Sequence, residues 1–190
     1  MVLASGSPRR AELLRQIGLP FVVRPPDVDE SLRPGESPER YVERLAIGKA
    51  RAVVAEDGPA LGADTAVVVD EEILGKPADR ASAIDMILRL SGRTHRVLTG
   101  VAVTDGRAVR SCVVAADVTF RAITRDEAAA YWETGEPRDK AGGYGIQGIG
   151  GIFAQSINGS YSAVVGLPLA ETEALLHAIG VNTWELRASV

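Results

Sequence analysis

Apolar and polar positions along this chain switch repeatedly between the period of a strand and that of a helix. Met1–Ala4 is a short apolar run that reads as a strand, and Ala11–Gly18 reads as a helix. Between them Ser5-Gly6-Ser7-Pro8-Arg9-Arg10 reads as a small-residue turn. Phe21–Val23 predicts a second short strand, and Pro25, Pro26 and Pro34 mark a loop to about Ser37. Ser37 fits an N-cap with Pro38 at the first helical position. The helix from Glu39 to about Val54 carries Val42, Leu45, Ala46, Ala50 and Val53 on one stripe, with Lys49 on the same stripe. Leu61–Val69 reads as a strand interrupted by Gly62-Ala63-Asp64-Thr65, which puts Asp64 near a strand end.

Asp70-Glu71 predicts a tight connection to Ile73-Leu74, and a helix follows near Arg80–Leu90. Val97–Thr104 and Val109–Arg121 predict strands joined around Asp105-Gly106, a hairpin signal. In the second of these, Val114, Ala116, Val118 and Phe120 alternate with polar or small residues, as a one-sided sheet requires. Thr124 predicts a cap for a helix through Tyr131 and Trp132. Ile152–Ile157 and Tyr161–Val165 flank Asn158-Gly159 as a second hairpin candidate, and Pro168 opens the last long helix. Residues beyond Val181 read as a loosely held tail. The sum is a mixed α/β fold with a long, twisted central sheet flanked by helices and two lobes with a cleft between them. Residues 1–181 form one two-lobed domain and 182–190 a C-terminal tail.

Composition narrows the classes. The chain has 190 residues, 46% hydrophobic and 24% charged, and a formal net charge of -4. That balance disfavours non-specific nucleic-acid binding and confines any phosphate site to a local basic pocket. A single cysteine, Cys112, excludes an internal disulfide and favours the cytoplasm. No apolar stretch approaches the ~20 residues needed to span a bilayer, and the N-terminal apolar run is too short for a signal peptide.

The candidate chemistry starts at the N-terminus. Helix N-termini attract phosphate through unpaired N–H groups, and Ser5, Ser7, Arg9 and Arg10 add hydroxyl and guanidinium donors. Asp64 stands in an apolar strand, where a carboxylate is costly without a compensating cation; it is either catalytic or a turn-capping Asp. Asp29-Glu30 is either a solvated acidic pair or the source of a carboxylate for magnesium, which takes hard oxygen ligands. Lys49, on an apolar helix face, either snorkels or faces a site. Lys76, fixed between Gly75 and Pro77, is either a site cation or part of a surface turn. Residues 141–151 hold six glycines in eleven positions, a density that suggests backbone in close contact with something or several positive-φ turns. Gln147 within them offers an acceptor and two donors for a nucleobase edge. His95 stands alone, which leaves a zinc site unsupported and favours a structural role. His177 reads as a cation at a helix C-terminus.

Together Leu3–Arg10, Asp29-Glu30, Lys49-Ala50, Leu61–Thr65, Lys76-Pro77, Leu90–His95, Asp139–Gly148 and Asn158–Pro168 resemble the Maf family of nucleoside triphosphate pyrophosphatases. The resemblance covers about Val2 to Ile179. It implies a Maf and inosine-triphosphatase-like fold, hydrolysis of a nucleoside triphosphate to monophosphate and pyrophosphate, and a divalent cation, Mg²⁺ or Mn²⁺, at Asp64 and Glu30. It also implies Asp64 as proton acceptor, with Lys49, Lys76 and Glu30 in the catalytic set. Ser5, Ser7 and Arg10 would bind substrate. Arg9, Thr65 and Gln147 look like the branch acting on dTTP and UTP rather than on 7-methyl-GTP. Ala163 and Gly151 depart mildly from the family pattern. The alternatives are a nucleotide sensor acting on cell division and septum formation without turnover, or a Maf pyrophosphatase with 7-methyl-GTP preference. Family analogy and base rates suggest a homodimer.

Overall fold

The computed structural model describes residues 1–53 and 58–188, in two compact units. The first comprises 1–64, 99–114 and 166–190, and the second comprises 65–98 and 115–165. The sheet strands are β1 (Val2–Ala4), β2 (Val22–Val23), β3 (Ala60–Val69), β4 (Glu72–Leu74), β5 (Thr94–Thr104), β6 (Val109–Phe120) and β7 (Ala154–Asn158). They run in the order β2-β1-β3-β5-β6-β7, with β4 paired to β3. Helices α1 (Pro8–Gln16), α2 (Pro38–Val53), α3 (Arg80–Leu90), α4 (Arg125–Glu133), α5 (Tyr161–Val165), α6 (Leu169–Ala178) and α7 (Thr183–Ala188) complete the mixed α/β architecture that the sequence predicts.

In the first unit β1 pairs in parallel with both β2 and β3. Val2, Ala4 and Ala60 pack with Val53 of α2, and Ala46 and Ala50 of the same helix meet Ala102 of β5. These small residues let α2 lie close on the strands. Gly62 and Gly100 let it lie closer still. A Cβ on Gly62 would stand 2.3 Å from the Ala46 carbonyl oxygen, and one on Gly100 would stand 2.4 Å from that of Val42.

In the second unit β4 turns back antiparallel to β3 through Asp70 and Glu71, whose φ angles of 53° and 60° are left-handed. This two-residue turn matches the twist of a hairpin, and Arg93 and Arg96 pair with its two carboxylates. α3 and α4 pack together over Val67, Val97, Val118 and Phe120. Both helices start on capping boxes, Asp79 with Ser82 and Thr124 with Glu127. β6 pairs antiparallel with β7, with an irregularity at Thr119/Phe120.

Several expectations need correction. α1 begins at Pro8, three residues before the expected start, because Ser7 is the N-cap and Pro8 occupies the first turn; its fixed φ suits that position. Strand β3 is continuous through residues 62–65, so Asp64 lies at mid-strand and not near an end. Tyr161–Val165 is helix, so Asn158-Gly159 closes no hairpin. Ser160 explains it, since its Oγ accepts from the Ala163 N–H at 3.3 Å at the helix start. The tail is not loose over 183–188. There α7 is tied down by Arg187, which donates to the Ile17 carbonyl at 2.7 Å and to Glu173 at 2.8 Å. The expected helix end at Val54, and Ser189 and Val190 of the tail, lie outside the described residues.

Candidate active site

Side chains alternate across a strand, so Asp64 and Gly62 share a face of β3. Because α2 presses onto Gly62 with Ala46 and Ala50, the helix residue between those contacts, Lys49, reaches Asp64. Its Nζ donates to Asp64 Oδ1 at 2.7 Å. Glu30 Oε1 lies 2.6 Å from the same nitrogen. Lys49 and Asp64 are 7% and 8% exposed, whereas the Glu30 side chain is 52% exposed. Two carboxylates therefore converge on one buried ammonium.

The Pro-rich loop that carries Glu30 is fastened to α2. Tyr41 donates its hydroxyl to the Glu30 carbonyl at 3.0 Å. Arg44 donates to the Ser31 carbonyl at 3.0 Å and forks onto Glu36 at 2.5 and 2.7 Å. That fork holds the Glu36 carboxyl down at about 2. Asp29, the other acid of the pair, is exposed and accepts from the Ser31 N–H at 2.9 Å, a turn within the loop. Of Asp29-Glu30, only Glu30 joins the buried lysine.

The turn after β1 supplies the rest. Ser5 is buried, and its Oγ accepts from the Ser7 N–H at 3.2 Å and from Arg10 Nη1 at 3.1 Å. Arg10, also buried, donates Nε to the Gly166 carbonyl at 2.7 Å. The guanidinium is thereby fixed by two neutral acceptors, with Asp64 close enough to oppose the lowering of its pKa by burial. Arg9 and Ser7 are half-buried in the first helical turn of α1 and at its cap.

Electrostatics single out Asp64. Burial pushes its carboxyl above the ordinary value of 3.8, against the pull of Lys49 and Arg10. A carboxylate with a raised pKa is a stronger base and needs only a partner with a proton to lose. Tyr41, half-buried near Asp64 and Glu30, is pushed up to about 12, chiefly by desolvation, and stays protonated.

The structure thus gathers Ser5, Arg10, Glu30, Lys49 and Asp64 in the first unit, with Ser7 and Arg9 on the adjoining turn. Thr65, Lys76 and Gln147 belong to the second unit. There Thr65 is half-buried on β3, Lys76 is exposed after β4, and Gln147 is exposed in a turn of the Gly-rich segment. Gly142 donates its N–H to the Gly75 carbonyl at 3.0 Å, so this segment is tied to the turn bearing Lys76. His95 is a core residue: its Nε2 lies 2.8 Å from the Tyr144 hydroxyl, and its ring stands edge-on to Phe120. His177 sits in the last turn of α6 beside Glu173 and Thr183. Cys112 is half-buried in β6.

Sequence reading passed over Gly62, Tyr41, Arg44, Glu36 and Gly166. Only Gly62 left a usable signal, two residues before Asp64 on the same strand face. The carbonyl of Gly166 and the loop ties are tertiary facts.

Among the described residues no group of three His, Cys, Asp or Glu side chains could hold a metal. The pair Asp64 and Glu30 still fits a hard divalent ion. Both oxygens already meet one cationic atom, and magnesium commonly takes one or two carboxylates beside phosphate and water.

A buried carboxylate clamped by lysine on a strand can take a proton, and an arginine-bearing helix start beside it can draw phosphate. The chain belongs to the Maf family: the family described as "Maf-like protein" matches residues 1–179. It is 56% identical over 182 residues to a dTTP/UTP pyrophosphatase of Pseudoalteromonas atlantica, covering 93% of this chain and 95% of that protein. It is 54% identical to the dTTP/UTP pyrophosphatase of Escherichia coli O157:H7, over 93% of this chain and 91% of that one. The Vibrio cholerae dTTP/UTP pyrophosphatase is 53% identical, over 93% and 96%. Among solved structures, a HAM1 protein from Coxiella burnetii aligns with TM-score 0.46 and 20% identity, over 63% of this chain and 71% of that one.

Proposed function

We propose that this chain is a nucleoside triphosphate pyrophosphatase that hydrolyses dTTP and UTP to the monophosphate and pyrophosphate. The observation that carries the chemistry is Asp64, a carboxylate 8% exposed with a raised pKa and Lys49 at 2.7 Å. The relatives' names support the substrate.

Asp64 is the proton acceptor for a water that attacks the α-phosphorus. The new P–O bond forms as the bond to the bridging oxygen breaks, the water's proton goes to Asp64, and pyrophosphate leaves with the electron pair. Ser7, Arg9 and the N–H groups at the start of α1 bind phosphate oxygens. Ser5 orients the Arg10 guanidinium toward them. Lys49 and Lys76 offset the charge that builds on the leaving group. Asp64 and Glu30 would hold Mg²⁺ or Mn²⁺, which when bound supplies further neutralisation of phosphate charge. Arg9, Thr65 and Gln147 select the base. Cytoplasmic location, a homodimeric state and indifference to nucleic acid belong to the same reading.

The test is a panel of dTTP, UTP, CTP, ATP, GTP and 7-methyl-GTP, with Mg²⁺ or Mn²⁺ and pyrophosphate as the readout. Product mainly from dTTP and UTP is expected. Preference for 7-methyl-GTP would move the chain to another branch, and tight binding without product would make it a sensor. Gln147→Ala should weaken pyrimidine preference more than turnover, because a lost polar contact costs about 1–3 kcal/mol.

A further inference from the structure

The glycines of the segment that carries Gln147 crowd against an acid. Glu136 opens the short 3-10 turn after α4. Its Oε1 accepts from the Tyr131 hydroxyl at 2.6 Å and from the Gly150 N–H at 2.9 Å, and its Oε2 accepts from the Ile149 N–H at 2.8 Å. Tyr131 in turn accepts from the Gly145 N–H at 3.1 Å. Within the segment Gly148 donates its N–H to the Gly145 carbonyl at 3.2 Å. Both ends of residues 145–150 therefore hang on one carboxylate and one phenol. Tyr131 is itself buried and edge-on to Phe153, with ring centroids 5.1 Å apart. Lys140 fixes the other side of Glu136 by donating to its carbonyl at 2.7 Å.

The glycines are the geometric counterpart of this clamp. A Cβ on Gly148 would stand 2.2 Å from Glu136 Oε2, and one on Gly150 would stand 2.5 Å from the Tyr131 hydroxyl oxygen. Gly148 itself has φ -109°, outside the left-handed region, so closeness and not backbone handedness demands glycine there. Gln147 sits at the middle of the clamped span with its side chain exposed. Its backbone position lies between the ties at Gly145, Ile149 and Gly150.

We propose that Glu136 is the positioning residue of base selection: it fixes residues 145–150 through Tyr131, Ile149 and Gly150 and so holds Gln147 in place. The proposal rests on the reading of the chain as a dTTP/UTP pyrophosphatase. Glu136 touches no reacting atom, so its loss changes discrimination and not the chemical step.

The experiment compares wild type, Glu136→Gln, Glu136→Ala, Tyr131→Phe, Gly148→Ala and the double variant Glu136→Ala/Gly148→Ala. Each is assayed for kcat and KM on dTTP, UTP and CTP, and for Tm. The amide of Glu136→Gln turns a donor toward one of the two backbone N–H groups. The ratio of kcat/KM for dTTP over CTP should fall about tenfold, carried by KM for dTTP, with kcat within about threefold of wild type. Tyr131→Phe should act in the same direction. Gly148→Ala should do the same in the wild-type background and add nothing once Glu136 is alanine, because the clash is with that carboxylate. An unchanged ratio in Glu136→Gln and Tyr131→Phe, with only Tm lowered, overturns the assignment and leaves a structural acid. If Glu136→Gln does not fold, Tyr131→Phe and Gly148→Ala decide in its place. A wild-type protein with no dTTP or UTP preference overturns the underlying reading and the assignment with it. A wild type with that preference and insensitive variants overturns Glu136 alone.

Discussion

Two acids in this chain are treated in opposite ways. Asp64, in the first unit, is buried on a strand, and burial outweighs Lys49 and Arg10, so its pKa is raised. Glu136, in the second, also loses solvent, but the Tyr131 hydroxyl and the Gly150 and Ile149 amides outweigh that loss and lower its pKa. The difference lies in the partners. Asp64 faces cations that phosphate would also attract, and it keeps basicity in reserve. Glu136 faces mainly oriented neutral donors, with the Lys140 charge the weakest pull, and its charge is spent on geometry. The stability consequences carry opposite signs. A raised folded pKa favours the fold below the ordinary carboxylate range, and that contribution is lost as pH rises through the folded value. Above its raised folded value, ionised Asp64 therefore works against the fold. Glu136 contributes stability above its ordinary value of 4.5, lost as pH falls through its lowered folded value.

The largest expected effect follows directly. Asp64→Asn removes the proton acceptor and should lower kcat by about 10³-fold, within the range for general base catalysis. The same change relieves a desolvated charge, so Tm at neutral pH should hold or rise. Glu136→Gln should give the reverse pattern, with turnover kept and Tm lowered. Pyrophosphate release and thermal melts on the two variants side by side test this. Two variants with the same signature would end the contrast between a reactive and a positioning acid.

Lys49 sharpens the first half of the comparison. Its charge and its hydrogen bond both pull the Asp64 pKa down against burial. In Lys49→Met that pull is gone, so the acid limb of the kcat/KM profile should move to higher pH. An activity loss of about 10²-fold should accompany it, through the missing charge on the leaving group. An acid limb that stays in place would mean that Asp64 is not the titrating base.

What the sequence made legible follows the same division. Residues that meet through a regular period were readable: Lys49 falls on the apolar stripe of α2, and Asp64 on an apolar strand, so both were candidates before the fold was known. The start of α1 was misplaced although Ser7-Pro8 repeats the Ser37-Pro38 pattern that located α2 correctly. Two arginines in the first turn masked it, since cations oppose the helix dipole there. Gly62 suggested a break in β3, when its meaning was the approach of α2. Tyr161–Val165 carries β-favouring residues, yet Ser160 caps it as helix. The Glu136 clamp was unreadable, because a carboxylate meeting the N–H groups of residues 149 and 150 leaves no trace in side-chain pattern. The glycine density announced close contact without naming its partner.

The smallest effect on catalysis and the most local test concerns His95, which shows that the second unit also meets burial by other means than paired charge. Its ring is 2% exposed among Phe120 and Tyr144, and burial lowers its pKa from 6.5 to about 4. Nε2 meets the Tyr144 hydroxyl, while Nδ1 has no partner among the described residues. The imidazole is therefore held neutral. A lowered folded pKa contributes stability present above 6.5 and lost as pH falls toward the folded value. At one pH unit per 1.36 kcal/mol, the loss across that window is roughly 3 kcal/mol. The strongly held carboxylates Glu36 and Glu173, both lowered to about 2, lose their contributions only below about 4.5, in a more acidic window. His95→Gln keeps an acceptor for Tyr144 and cannot titrate. Denaturant melts of wild type and His95→Gln from pH 7 to pH 4.5 should then converge, the wild type losing the greater share of its stability. Parallel curves would show that the ring is charged in the fold, and that the second unit, like the first, holds a buried charge in reserve.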